Sequence, residues 1–130
     1  MKILQPAGWP RPKGYSNGVS ASGRMVFTAG VVGWDENEMF PEYRLDQQFA
    51  RALRSTLAIL AEDGAGPEHI VRMTCYIVDR GEYLAMRDEI GGYWREIMGS
   101  NYPAMAMLVV NELVEPAAKI EIETTAVVPD

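Results

Sequence analysis

The fold is decided by the stretch from Asn101 to Val128, which is NYPAMAMLVVNELVEPAAKIEIETTAVV. It contains an unbroken apolar run at 104–110 and an alternating run at 119–128. Pro116 stands between the two runs and has no backbone N–H to donate to a strand ladder. The stretch therefore predicts two consecutive strands, the first of them facing a partner strand that carries Glu121.

The second run places two acids on one face of its strand. Glu121 and Glu123 alternate with Ile120 and Ile122, so the acids point away from the apolar side chains. One interpretation is a half-buried sheet whose acidic face meets water. The other is that Glu121 borders an apolar pocket beside Tyr102-Pro103-Ala104, where a carboxylate can exchange protons with a bound water or substrate.

Several short motifs, in order along almost the whole chain, resemble the RidA (YjgF-type) reactive-intermediate deaminases, which act on imines and enamines. They are Gly14-Tyr15-Ser16 with Val19, Val26-Phe27-Thr28-Ala29-Gly30 followed by Asp35, Pro103-Ala104, and Lys119-Ile120-Glu121-Ile122-Glu123. The resemblance implies an α+β, chorismate-mutase-like subunit with a single mixed β-sheet and two helices packed on one face. It also implies a homotrimer with small-molecule ligands in clefts between subunits.

The resemblance further implies a set of site residues. Glu121 would orient or deprotonate the water that attacks the C=N carbon. Backbone amides around Gly30 and Met105 would hold polar parts of the ligand. Tyr15 and Met107 complete the expected substrate-binding residues.

One departure from the family pattern concerns the substrate. Members that hydrolyse 2-enamine and 2-imine acids carry an arginine directly after Pro-Ala, and its guanidinium holds the substrate carboxylate. Met105 stands there instead, and Met107 stands where many members have Cys. The chain thus resembles the subset that lacks this arginine. Its substrate would be bulkier, less acidic, or held by another cation, for which Arg11, Lys13 and Arg24 are the nearest candidates.

Two other functions compete with the hydrolase. A non-catalytic small-molecule-binding trimer would retain the fold without the chemistry. An endoribonuclease is disfavoured, because 18 acids against 12 Lys and Arg give a net charge of −6, and phosphate backbones require clustered bases. A nucleic-acid partner is therefore not expected.

Composition predicts one domain over residues 1–130, with 48% hydrophobic residues to form its core. The single Cys75 alternates with apolar neighbours and is expected to be a buried thiol. His69 has no second His or Cys at ligand spacing, so neither a metal nor any other cofactor is expected. The start of the chain lacks a signal-peptide pattern and no apolar run is long enough to span a bilayer, which predicts a soluble cytoplasmic protein.

Periodicity and turn residues place the other elements. We expect an irregular arm at 5–14, a hairpin of 19–21 with 25–29, helices at about 45–60 and 82–98, and a strand at 71–78. Trp9 in the arm would pack on its own subunit or on a neighbour. Tyr93 and Trp94 would serve the core or the pocket. The run at 104–110 is apolar at both sets of alternating positions, so both faces of this strand should be buried. Self-association is the simplest way to bury the face that the helices leave open.

Overall fold

A computed structural model describes residues 1–130, and its central strand is β7, Ile120–Val128. The first part of β7 pairs antiparallel with β4 (Val31–Val32), and the last part with β3 (Arg24–Phe27). Its other edge pairs antiparallel with β5 (Ile70–Ile77), which in turn pairs in parallel with β6 (Ala104–Val109). The result is the expected mixed sheet, in the order β3-β7-β5-β6.

The helices cover one face of this sheet. They are α1 (Leu45–Ala61), α2 (Arg80–Ala85) and α3 (Arg87–Met98). The apolar stripe of α1 contacts β7, and Phe49 and Leu53 of α1 are buried in one core with Met73 and Ile122 of the sheet. These contacts confirm the α+β arrangement, because the stripe and the apolar side of β7 bury each other.

The second predicted helix is divided in two. Met86 has φ −111° and ψ 16°, which is outside the helical region, and it separates α2 from α3. Asp79 begins α2 as an N-cap, accepting a hydrogen bond from the Glu82 backbone N–H at 3.0 Å. Residues of α3 and of β6 line the same cavity, which is described below.

The predicted N-terminal hairpin is wrong. The strand β2, Gly18–Ser20, pairs with β1, Lys2–Leu4, in a separate two-stranded ribbon, whereas β3 pairs with β7. Ser22-Gly23, between the two predicted strands, is typical of a tight turn, but a turn does not determine which strand each segment pairs with. Beside β7, β3 aligns Val26 with the buried Ala126, whereas β2 contains no buried residue that could offer such a contact.

The expectation that the strand at 104–110 faces the strand carrying Glu121 is also wrong. In the sheet β5 lies between them, and Tyr76 of β5 has Leu108 on one side and Glu121 on the other. The physical reason is chain direction. Since α2 and α3 form a crossover connection after β5, β6 returns in parallel beside β5.

The sheet face opposite the helices is uncovered in one chain. Met25 and Phe27 of β3 are 57% and 63% exposed there, and Leu108 of β6 is 44% exposed. This is the face that the predicted self-association would bury. Trp9 is 61% exposed, so it does not cover the core of its own subunit.

Candidate active site

A cavity of about 450 Å³ lies between α3, the edge strand β6 and the segment at 13–15. Aromatic side chains form much of its wall: Tyr15, Phe49, Tyr83, Trp94 and Tyr102. The volume falls in the range of sites that hold small organic molecules.

The head of β6 organises this wall. The Ser16 backbone N–H donates to the Pro103 carbonyl at 2.9 Å, which holds the segment with Tyr15 against the strand. Trp94 stacks on Tyr102 with ring centroids 6.0 Å apart, and its Nε1–H donates to the Asn101 carbonyl at 3.2 Å.

Tyr93 and Trp94 of α3, each expected to serve either the core or the pocket, therefore have different surroundings. Trp94 is 6% exposed and serves both the core and the cavity wall. Tyr93 does not line the cavity; it borders a shallow groove against α1.

Three of the expected substrate-binding residues meet in the cavity. Met105 and Met107 align with Met73 and Cys75 of β5, which are buried under the helices, so both methionines point to the helix side of the sheet. Tyr15 reaches the same space from the N-terminal segment. An uncharged, flexible floor of two thioethers adapts to apolar ligand groups.

Gly30 and Glu121 lie together elsewhere, on the uncovered face of the sheet. A Cβ atom at position 30 would come within 2.7 Å of the Glu121 Cδ atom, so glycine leaves the space that the carboxylate uses. Beside them, the Tyr76 hydroxyl donates to Glu123 Oε1 at 2.7 Å. This hydrogen bond, with burial and the nearby carboxylate charges, raises the pKa of Tyr76.

The expected site residues thus divide between two faces of one sheet. Tyr15, Met105 and Met107 are on the helix side, whereas Gly30 and Glu121 are on the other side, with β5 between β6 and β7. Side chains on opposite faces cannot contact the same small molecule within one chain. A single site that includes all five residues therefore requires two chains.

Sequence reasoning missed two cations of the cavity, Arg87 and Arg95, both on α3. Their spacing around Gly91, at i, i+4 and i+8, is a signal that could have found them, since such residues share one helix face. Of the three replacement cations named from the sequence, only Lys13 lines the cavity. Arg24 forms a salt bridge with Asp63, and Arg11 lies outside the wall.

Other chemistry-bearing residues do not form sites of their own. Cys75 is fully buried, and burial raises the pKa of its thiol to about 12, so it is not a nucleophile at neutral pH. Nowhere do three His, Cys, Asp or Glu side chains gather in a way that could hold a metal ion. The helices are all too short or too polar to cross a bilayer.

Comparisons with known proteins match nearly the whole chain. The family model described as Endoribonuclease L-PSP matches residues 10–128. A RutC family protein of Synechocystis sp. is 31% identical over 131 residues, covering 99% of this chain and 98% of its own.

Two solved structures are similar in fold. YyfB of Yersinia pestis, a Rid family protein of unknown function, has a TM-score of 0.82 and 28% identity, with 98% of each chain covered. E. coli TdcF, solved with bound serine, has a TM-score of 0.70 and 26% identity, covering 98% of this chain and 99% of its own. These likenesses confirm the chorismate-mutase-like fold.

Proposed function

The chain belongs to the Endoribonuclease L-PSP family, which includes the RidA and YjgF proteins, and on this premise we propose that it hydrolyses an imine or enamine metabolic intermediate. The observation that carries the proposal is the cavity beside β6. It contains Met105, directly after Pro103-Ala104, and Met107 two residues later, where the family motif has its ligand-binding residues. The protein would belong to the subset without the carboxylate-binding arginine.

The reaction requires a base that the cavity of one chain lacks. Water adds to the C=N carbon, the nitrogen takes up protons, and the C–N bond breaks to leave a carbonyl compound and ammonia. A carboxylate can take the proton from the water and return it to the departing nitrogen. No Asp or Glu lines the cavity within one chain, so the carboxylate would come from a neighbouring subunit of the proposed homotrimer.

Glu121 is the acid best suited to this task. Its neighbour on the same face, Glu123, already accepts the hydrogen bond of the Tyr76 hydroxyl. Glu121 accepts no side-chain hydrogen bond, and Gly30 leaves its carboxylate room. It lies on the sheet face that trimer formation would bury, where its carboxylate would meet the cavity edge of the next subunit.

The alternative is a non-catalytic small-molecule-binding trimer. The observation in its favour is the separation of Glu121 from the cavity within one chain. A ribonuclease activity, which the family description mentions, has less support, because a net charge of −6 repels an RNA backbone.

A panel of imines generated in situ by amino-acid oxidases would test the proposal. Hydrolysis would be measured in two ways. The amount of imine that semicarbazide traps should fall, and ammonia should be released. We expect Glu121→Gln to lower the turnover of the best substrate by roughly 100-fold, because it removes the base but keeps the size of the side chain.

Glu123→Gln is the matched control, an acid on the same strand face that should leave turnover nearly unchanged. If no imine is hydrolysed, or if Glu121→Gln is as active as the wild type, the hydrolase with Glu121 as base is refuted. Altered ligand affinity in Glu121→Gln without any turnover would favour the binding trimer.

A further inference from the structure

The cavity beside β6 is basic, although the chain as a whole is acidic. Lys13, Arg87 and Arg95 line it, and no Asp or Glu does, in a chain with 12 Lys and Arg against 18 acids. None of the three takes part in any of the six salt bridges of the structure. Three exposed cations that line one cavity without a carboxylate partner are suited to an anionic ligand.

The two arginines share one stripe of α3. Arg87, Gly91 and Arg95 are four residues apart, and each step of four advances the helix by about 6 Å. A Cβ atom at Gly91 would lie 3.4 Å from Arg95 Nη1. The Arg95 guanidinium therefore folds back over Gly91, in the direction of Arg87, as helical side chains generally do.

The rest of the wall favours a large apolar body on the same ligand. Tyr15, Trp94 and Tyr102 present aromatic surface, with Trp94 and Tyr102 already stacked on each other. The floor is formed by Met105 and Met107, which carry no charge. Rings of the ligand would pack against these aromatic faces and against the thioether groups.

We propose that the ligand of this cavity is an organic acid with an aromatic or bulky apolar body, whose carboxylate is bound by Arg87 and Arg95 of α3. The anion is thus held from the helix wall and not from the strand that carries Met105. That this ligand is an imine or enamine substrate rests on the proposed function, whereas the anion site itself does not.

Titration calorimetry with stable probes tests the assignment. The probes are 3-phenylpropionate, the neutral 3-phenylpropionamide of nearly the same shape, and inorganic phosphate. We expect the wild-type protein to bind the carboxylate at least about tenfold more tightly than the amide, since a charge-assisted bidentate pair is worth more than a neutral contact. Phosphate, which lacks the apolar body, should bind more weakly than the carboxylate.

Variants then locate the charge. Arg87→Gln and Arg95→Gln should each weaken carboxylate binding by about tenfold and leave amide binding unchanged. Arg80→Gln, at an exposed arginine of α2 that does not line the cavity, is the matched control and should bind like the wild type. Thermal melts and solution mass of each variant establish that it is folded and assembled.

Several outcomes would overturn the proposal. They are equal affinity for carboxylate and amide, no binding of the carboxylate, unchanged binding in both arginine variants, or phosphate binding more tightly than the carboxylate. These results are separable from the turnover assay. Arginine-dependent binding without turnover of any imine would refute the hydrolase but support the anion site. Turnover of an imine by a protein that binds carboxylate and amide equally would support the hydrolase but refute the anion site.

Discussion

Gly30 lies so close to Glu121 that a Cβ atom at position 30 would come within 2.7 Å of the Glu121 Cδ atom. The contact is between a backbone and the movable end of a side chain, so a larger residue displaces the carboxylate more readily than it distorts the sheet. Gly30 is not among the residues of positive φ, and alanine is compatible with its backbone. The pair therefore links a simple substitution to the position of the proposed base.

We expect Gly30→Ala to lower imine turnover by about tenfold or more while changing the free energy of unfolding by less than about 1 kcal/mol. The reason is that the Glu121 carboxylate must leave its present position. Steady-state turnover and urea denaturation of the same preparation measure the two effects. Gly92→Ala is the control, because a Cβ there meets no atom within 4 Å; equal turnover in both variants would contradict the prediction.

The uncovered sheet face predicts self-association, and the resemblance to the family implies that the assembly is a trimer. Light scattering should give a mass near that of three 14.5 kDa chains, about 44 kDa, at micromolar concentration. Phe27→Lys should lower this mass, because Phe27 is 63% exposed on that face of the isolated chain and a lysine there resists burial. A wild-type monomer, or a Phe27→Lys trimer as stable as the wild type, would count against this interface.

Met105 predicts weak activity on small substrates. We expect 2-aminoacrylate and the imines of small amino acids to be hydrolysed far more slowly than bulky imino acids, because the strand offers no guanidinium to orient a short carboxylate. Met105→Arg should raise kcat/KM for the small imines by about tenfold or more. Met105→Gln, similar in length but uncharged, is the control.

The Met105 prediction is measured by competition between each protein and semicarbazide for the imine. Rapid turnover of 2-aminoacrylate by the wild type would contradict it. Such a result would mean that Lys13, Arg87 or Arg95 already reaches a short carboxylate in the cavity.

We predict that removal of the Gln48 side chain lowers the stability of the protein. The buried amide of Gln48 donates to the carbonyls of Glu42 and Ala117 at 3.1 and 2.9 Å, and its Oε1 accepts from the Lys119 N–H at 2.8 Å. Gln48→Ala leaves these groups unpaired and should lower the free energy of unfolding by roughly 2–4 kcal/mol.

Urea denaturation at a fixed protein concentration measures the Gln48 effect, since assembly makes apparent stability depend on concentration. Gln47→Ala, at the exposed neighbouring position, should change stability by less than about 0.5 kcal/mol. A Gln48→Ala protein as stable as the Gln47→Ala protein would mean that water satisfies these backbone groups.

Local periodicity was sufficient for the longest helix and for the long strands of this fold. The stripe of α1 and the alternation of Ile120 and Ile122 in β7 depend on near neighbours in the chain, and both are found where the pattern predicts them. The short motifs around Pro103-Ala104 and Glu121 were likewise sufficient to indicate the family, because they need only order and residue type.

Periodicity could not predict which strands pair with each other. Nothing local to residues 104–109 or 120–128 says that β5 will lie between them, since strand pairing depends on which distant apolar surfaces bury each other best. The same limit hid the anion site, because the strand end with Met105 and the helix face with Arg87 and Arg95 meet only after the chain crosses over.

The sequence by itself therefore determined the types of the long elements, the family, and the presence of Met105 directly after Pro103-Ala104. Only the tertiary structure decided that Met105 and Glu121 point to opposite faces of the sheet, and that the cations of the cavity come from α3. The physical reason is that a strand's alternation says which residues share a face, whereas the packing of helices and neighbouring strands decides what each face meets.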